Sequence, residues 1–456
     1  MSNPVYQTVI VGGGFTGLFT ALHLSHQHYP RTVILIDKQE RFCFKPLLYE
    51  YFSGEMNATQ VVPRFTELLD GTGVIFVRDT VQSIDLHQRE VKLASGNTYN
   101  YSNLVLGLGS VTGYFHVEGA KEYGLPFWTQ QDAIAIDRHL HDCLQQAVQT
   151  QDPEQRRRLL TVAVIGGGPS GVEMAATIAD LLPNWYGAMR GNPQEVRVVL
   201  LNHGDAILKG DVNSLLQETA EQKLQQRAVP VEMLMGSEVT AIGPDFVEYK
   251  HNGKQEKLLT SSAIWTAGTA TNPLIQNLAV PNEHRDKHGR LQVSTTLQLP
   301  DFPEVFAGGD CAFVPETSWP ATAQVAYQQG ATIAHNLKAI ALGRELIPAK
   351  VNLRGTLLKL GLDDAAANIY DTFEVTGEPA HLIRQGTYLE LLPTPIHNFK
   401  ATSEWLKDEI FHHYLSSDGA GKKVVQTAEI VGGAVVGVLV ARKLLQMLGN
   451  DDDKHQ

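Results

Sequence analysis

Cysteine is scarce. The chain of 456 residues has three, Cys43, Cys143 and Cys311, far apart and with no CxxC pair. That spacing excludes a zinc ribbon and a vicinal dithiol site, and few unpaired cysteines suit a reducing compartment. Positive charge is also short: 37 Lys and Arg against 49 Asp and Glu leave a net charge of −12. Such a chain has no electrostatic footprint for nucleic acid. Charged residues make up only 19% against 43% hydrophobic, a globular composition rather than a disordered one. No leader is expected, because a strand-like run, Val5 to Val11, starts almost at once. The histidines, His412 and His413 among them, show no ligand spacing. They are expected to face solvent, and no metal site is expected.

Glycine, by contrast, is plentiful at 40 residues. The length suggests two or three domains at roughly 100–200 residues each. The run Val5–Val11 stops at Gly12-x-Gly14-x-x-Gly17. Leu18, Leu22 and Leu24 follow at mostly helical spacing, and Thr32–Ile36 reads as a second strand ended by Asp37. Each glycine has a physical task. Gly12 permits a tight turn, Gly14 lets a pyrophosphate approach the backbone, and Gly17 lets the helix pack on the sheet. Phosphates would sit on free N–H groups at the helix start. Asp37 stands where an acid meets a ribose 2′-OH. The rival reading is a glycine-rich turn without a ligand, but a lone motif lacks this strand, helix and acid around it.

The pattern recurs. Thr161–Ile165 leads into Gly166-x-Gly168-x-x-Gly171, a helix runs on from Ser170, and Val196–Leu201 is the next strand. The fold class is therefore α/β, with two Rossmann-like dinucleotide-binding domains. One chain that binds two dinucleotides usually passes electrons between them; a duplicated fold with one dead site is the competing reading. The second strand ends at Asn202 and not at an acid. An amide can bond a ribose but does not repel a 2′-phosphate. The second site is expected to take NADPH as well as NADH.

Later segments add to the nucleotide site. Tyr101–Ser110 and Ala263–Gly268 read as apolar strands ending in glycine, and Val305–Ala307 as a short strand before Gly308-Gly309-Asp310. That carboxyl end is where open parallel sheets bind ligands, although Asp310 could equally be a helix N-cap. Gln324 and Gln328 stand at i and i+4 on one helix face. Ala321, Ala323, Val325 and Ala326 make that helix too apolar to be mainly solvated. Cys311 reads as a small apolar filler.

These motifs together, with Phe44-Lys45-Pro46-Leu47-Leu48-Tyr49, Gly171-Val172-Glu173 and Ala323-Gln324-Val325-Ala326-Tyr327-Gln328, resemble the two-dinucleotide-binding-domain flavoproteins. Among these they resemble the type II NAD(P)H:quinone oxidoreductases, over residues from about 5 to 415. FKPLLYEYFSGE and YLELLPTPIH are most similar to the cyanobacterial and plastid branch, whose members act on prenylated naphthoquinones including demethylphylloquinone.

The resemblance implies a discontinuous FAD domain (1–118 and 288–345), an inserted NAD(P)H domain (119–287), a quinone- and membrane-facing region (346–418) and a tail (419–456). It implies FAD held by Gly12, Gly14, Phe15, Thr16, Gly17 and Asp37, with Gly109 and Asp310 along the rest of the cofactor and Lys45 and Pro46 beside its ring. It implies NADH or NADPH on Gly166, Gly168, Pro169, Ser170, Gly171 and Asn202, with Gly268 and Val325 as further cofactor contacts. Glu173 would lie near the nicotinamide–flavin contact, and Gln324 and Gln328 beside the quinone. Glu173 and Tyr327 are candidates for proton relay or positioning; an early-helix carboxylate that favours the dipole is the plainer account of Glu173.

A prenylated quinone lives in lipid, so the chain is expected on the cytoplasmic face of a membrane, peripheral or with a short C-terminal anchor. Residues 395–415 carry Trp405, Phe411 and Tyr414, types that favour the water–lipid boundary. Val424–Ala441 is apolar apart from Glu429 and, at about 27 Å of helix, is marginal for a span. A homodimer is left open. Two rivals remain: a sulfide:quinone reductase-like enzyme, and a slow-turnover NAD(P)H-sensing flavoprotein. The absence of a multi-helix membrane domain argues against ion pumping.

Overall fold

The computed structural model describes residues 7–317, 319–369 and 373–393. Two five-stranded parallel sheets organise it. The first runs Val305–Ala307, Asn103–Leu106, Gln7–Val11, Thr32–Asp37, Ile75–Arg78. The second runs Val231–Leu234, Arg197–Leu201, Thr161–Ile165, Ser262–Trp265, Leu125–Pro126. The central strands, QTVIV and TVAVI, are unbroken apolar or β-branched runs after their first residue because helices and meanders cover both of their faces. All strands of the second sheet come from between Leu125 and Trp265, so it is an insertion between the two halves of the first.

Each sheet carries an antiparallel meander, Val81–Asp85 to Thr98–Asn100 in the first and Ser237–Ile242 to Lys254–Leu259 in the second. An antiparallel ribbon, Ser110–Thr112 against Thr269–Thr271, carries the chain out of the first body and back. The helix Phe15–His26 packs against Ala323–Ala341, with Thr20 Oγ1 donating to the Gly330 carbonyl at 3.1 Å. Gly330 is glycine for that reason: a Cβ there would lie 2.6 Å from the Thr16 carbonyl oxygen.

A third element follows. Strands Gly355–Gly361, Asp364–Ile369 and Phe373–Gly377 form an antiparallel sheet, and the helix Glu378–Glu390 packs on it. Leu358, Leu360 and Ala366 of that sheet join the core built on Pro169–Ala188, which also takes in Leu48, Tyr49 and Phe52. The fold therefore brings three distant stretches, 45–55, 169–188 and 355–390, to one place. Among the described residues no helix is long and apolar enough to cross a membrane. The expected interfacial segment 395–415 and the apolar run Val424–Ala441 lie outside the described residues.

Candidate active site

The two glycine turns are built alike. Gly12 has φ +97° and Gly166 φ +116°, values that favour glycine. A Cβ on Gly17 would sit 1.9 Å from the Gly12 carbonyl oxygen, and one on Gly171 1.7 Å from that of Gly166. These two glycines let the helix seat on its own turn. The middle glycines differ. A Cβ on Gly14 would be in ordinary contact with the Gly107 carbonyl oxygen at 3.8 Å, and one on Gly168 with Asp211 Oδ2 at 3.8 Å, so these two glycines are not demanded by the chain's own packing, and a pyrophosphate can approach there. Gly14 and Gly168 are the N-caps of Phe15–His26 and Pro169–Ala188, with no side-chain cap and no acid in the first turn. Uncapped N–H groups at a positive helix end hold phosphate oxygens. The cradle fits a dinucleotide twice.

Asp37 Oδ2 accepts from Gly13 N at 2.6 Å and Oδ1 from Gln39 N at 2.7 Å. Burial pushes its pKa up, against those two bonds. Asn202 occupies the equivalent place: Oδ1 accepts from Gly167 N at 3.1 Å, and Nδ2 donates to the Ala206 carbonyl at 2.8 Å. The amide is thus an asset to its own loop, because it supplies a donor that a carboxylate lacks. Among NADH and NADPH we expect kcat/KM values within about a hundredfold of each other. Asn202→Asp should shift selectivity toward NADH by at least about tenfold, through repulsion of the 2′-phosphate. Steady-state kinetics with both cofactors checks this, and unchanged selectivity in the variant would remove Asn202 from the account.

Phe15 packs its ring against Phe42 and Phe44, and buried Thr16 reaches the Ala326 carbonyl at 3.3 Å. Gly109 has φ +59° with open space beside it, and Gly268, φ +77°, abuts the Phe115 ring. Asp310 Oδ2 accepts from Ser110 Oγ at 2.7 Å. The turn before it is held by a residue that sequence reasoning missed: Gln329, buried, accepts Gly309 N on Oε1 at 2.7 Å. Only the side of the helix it faces could have signalled it. Gly309 and Val325 also line a cavity with Val314, Trp319 and Thr322.

Lys45 is half-buried with its ammonium over the Trp128 ring, and desolvation lowers its pKa to about 7 against the opposing pull of nearby Cys43, Asp310 and Asp132. Burial likewise pushes the Cys311 thiol up to about 11, and its sulfur lies against the Leu106 and Gly308 carbonyls. All three cysteines are free.

Gln324 and Gln328 are both fully engaged. Gln324 donates to the Gly355 carbonyl at 3.0 Å and accepts Arg354 N at 2.9 Å. Gln328 does the same to Asn352, at 3.0 and 2.9 Å. The two amides hold the backbone of 352–355 as it enters the third sheet. Tyr327, on the same helix, packs its ring against Phe19.

Glu173 is the fifth residue of its helix, past the first turn, and buried. The helix dipole is therefore not its main partner. Arg384 is, with Nη2 at 3.1 Å from Glu173 Oε1, which also accepts Lys359 N at 2.8 Å. Burial still raises the Glu173 pKa against the Arg384 charge. Arg384 is itself buried, reaches Glu50 through Nη1 and donates to the Pro46 carbonyl at 2.7 Å. Lys359 Nζ, with no exposed surface, lies 2.5 Å from Glu55 and 3.8 Å from Glu50. Of these partners only Pro46 was singled out from the sequence. His381 corrects the expectation that the histidines face solvent: it is 3% exposed and 3.5 Å from Glu55. Among the described residues, Glu55, Asp363 and His381 form a group with metal-ligand reach, but the Lys359 ammonium already sits on Glu55 and opposes a second cation.

Two dinucleotide cradles on parallel sheets, joined by a ribbon, define the two-dinucleotide-binding flavoprotein oxidoreductases. The profile of the pyridine nucleotide-disulphide oxidoreductases matches residues 6–330. Demethylphylloquinone reductase NdbB of Synechocystis is 34% identical over 408 residues, covering 87% of this chain and 95% of that protein. The alternative NAD(P)H-ubiquinone oxidoreductase C1 of Arabidopsis thaliana is 31% identical, over 87% and 79%. The structure of NDH2 from Plasmodium falciparum with NADH superposes with a TM-score of 0.78 at 18% identity, over 89% of this chain and 98% of that one. The chain belongs to the pyridine nucleotide-disulphide oxidoreductase family and, within it, to the type II NAD(P)H:quinone oxidoreductases. It is a flavoenzyme of FAD and NAD(P)H.

Proposed function

We propose that the chain moves two electrons from NADH or NADPH, by way of FAD, to a membrane quinone, a prenylated naphthoquinone such as demethylphylloquinone, or plastoquinone. The observation that carries this reading is the pair of uncapped glycine turns, uncrowded at Gly14 and Gly168. The 34% identity to demethylphylloquinone reductase NdbB supports the choice of quinone. FAD would lie on Gly12, Gly14, Gly17 and Asp37, with Gly109 and Asp310 further along. When bound, it accepts hydride from a nicotinamide and returns electrons to quinone. NAD(P)H would lie on Gly166, Gly168, Gly171 and Asn202. Lys45, Pro46 and Glu173 then line the junction of the two cradles, where they orient the rings and exclude water. The quinone's solubility in lipid supports a working place on a membrane surface; in our reading the enzyme sits at the cytoplasmic face with its C-terminal region toward the lipid, as an electron carrier that pumps no ions.

The test is steady-state turnover of the purified protein with NADH and NADPH against naphthoquinone and benzoquinone acceptors. Quinone-dependent NAD(P)H oxidation supports the reading, and sulfide-dependent quinone reduction would replace it. The Gln324 amide holds the backbone of Arg354 and Gly355 where the chain enters the third sheet. Gln324→Ala should lower quinone turnover about tenfold or more while flavin reduction by NAD(P)H proceeds at its normal rate. Equal loss in both half-reactions would defeat that role.

A further inference from the structure

Quinone reduction by NAD(P)H has a proton balance that the chain must meet. NAD(P)H + H⁺ + quinone gives NAD(P)⁺ + quinol. The nicotinamide brings two electrons and one hydrogen, so one proton per turnover comes from solvent. Glu173, which the reading above sets at the junction of the two cradles, is buried, and a proton reaches a buried group only through a conductor.

The ionic cluster under Glu173 has the form of one. At its outer end Asp363 is 71% exposed and lies 3.9 Å from His381 Nε2. His381 Nε2 is 3.5 Å from Glu55 Oε1. Glu55 Oε2 is 2.5 Å from Lys359 Nζ, which is 3.8 Å from Glu50 Oε1. Glu50 and Glu173 are drawn together on one guanidinium, that of Arg384. The longer gaps are each one bridging water or one side-chain rotation from transfer distance. Asp363 meets solvent at 71% exposed, whereas His381 at 4%, Glu55 at 17% and Lys359 at 0% lie inside.

Two features set this apart from a purely structural ion cluster. The first is the count: three carboxylates, Glu50, Glu55 and Glu173, meet two cations, Lys359 and Arg384. His381 is no third cation, since burial and Lys359 lower its pKa to about 4 despite Glu55. The surplus carboxylate is best satisfied by a shared proton. The second is that Glu50 Oε2, Glu55 Oε1 and His381 Nδ1 are buried and make no hydrogen bond to another protein group, so each can take a water or a proton.

We propose that the solvent proton for quinone reduction enters at Asp363 and passes through His381, Glu55 and Lys359 to the Glu50–Glu173 pair beside the redox junction. The proton moves by exchange: each group takes one from its outer neighbour and gives one to its inner neighbour, and the row returns to its starting charge. Arg384 does not carry it; it is a positioning residue that holds the last two carboxylates together. This inference rests on the quinone reductase reading above.

The test uses FAD-loaded protein in two anaerobic half-reactions, with Glu55→Gln and His381→Gln as variants. Both keep side-chain volume, and His381→Gln keeps a neutral group, so it guards against loss of fold in the other. Flavin reduction by NADH should stay within about twofold of wild type. Reoxidation by a naphthoquinone should slow at least tenfold, with a larger solvent deuterium isotope effect, and imidazole should restore rate in His381→Ala. A structural role would not produce the isotope effect or the rescue. Folded, flavin-loaded variants with normal reoxidation, or with both half-reactions slowed alike, overturn the proposal. Wild-type protein that fails to reduce quinone defeats the parent reading and this one with it; wild-type turnover with unaltered variants defeats this one alone. A readout apart from activity is the urea midpoint against pH. His381 has a folded pKa depressed below its ordinary 6.5, so the unfolded chain binds its proton first and stability falls as pH drops from 6.5 toward 4. The groups facing it are Glu55, Asp363, Asp364, Lys359 and Arg384. His381→Gln should flatten that fall, and an unchanged slope would remove His381 from the route.

Discussion

Arg384→Met should destabilise the folded protein by about 3–5 kcal/mol, the range for stripping one partner from a buried ion cluster. The guanidinium is 1% exposed and serves Glu50, Glu173 and the Pro46 carbonyl at once. Methionine takes up much of its volume but leaves two carboxylates facing each other, with the Lys359 ammonium, 3.8 Å from Glu50, as the remaining cation of the cluster. Those groups come from the 45–55 segment and the second fingerprint helix, so the damage spreads to the seam between the two cradles. Lysine is no substitute, because a point charge cannot hold two carboxylates in a fork. Urea unfolding of the flavin-loaded protein measures the effect. Arg384→Met combined with Glu173→Gln should recover part of the loss, since it removes one of the stranded charges. A loss under about 1 kcal/mol would mean that water reaches the cluster and that it is not the dry network described above.

Gly168→Val should raise the KM for NAD(P)H by about a hundredfold, or about 2.7 kcal/mol, while flavin content stays normal. The backbone at Gly168 is extended and a Cβ meets nothing nearer than 3.8 Å, so the variant folds. Its bulk then stands where the pyrophosphate must approach. Gly14→Val is the mirror experiment: a Cβ there is likewise uncrowded, 3.8 Å from the Gly107 carbonyl oxygen, and the expected result is protein that purifies without flavin. Gly17→Ala and Gly171→Ala are different in kind, because their methyl groups would overlap the backbone of the preceding turn. They should damage folding as well as binding. Flavin content by absorbance, together with NAD(P)H titration, separates the cases. Full cofactor affinity in Gly168→Val would show that the second turn does not hold a pyrophosphate.

Much of this was legible in the sequence, for a local reason. A buried parallel strand, a glycine turn and a helix are contiguous, so Thr161–Ile165 and Val305–Ala307 form the strands that their composition foretold. The asymmetry between Asp37 and Asn202 was legible too, as one letter at the end of each second strand. The charged cluster was not. Glu50, Glu55, Lys359, His381 and Arg384 read as ordinary polar residues, and only the docking of the 355–390 element on the second fingerprint helix puts them together. Their burial is a property of tertiary packing, with no periodicity of its own. The same holds for Gln324 and Gln328. Their i and i+4 spacing predicts a shared face, but it does not say that the backbone of 352–355 will lie along it.

One anaerobic spectrum tests the central claim, that this chain holds two dinucleotides with their rings in electron-transfer contact. Purified protein, reconstituted with FAD if needed, should show one flavin per chain. NADH or NADPH should bleach it, and a naphthoquinone should restore the colour. Protein that takes up no flavin, or a bound flavin that neither nicotinamide can bleach, would contradict the account.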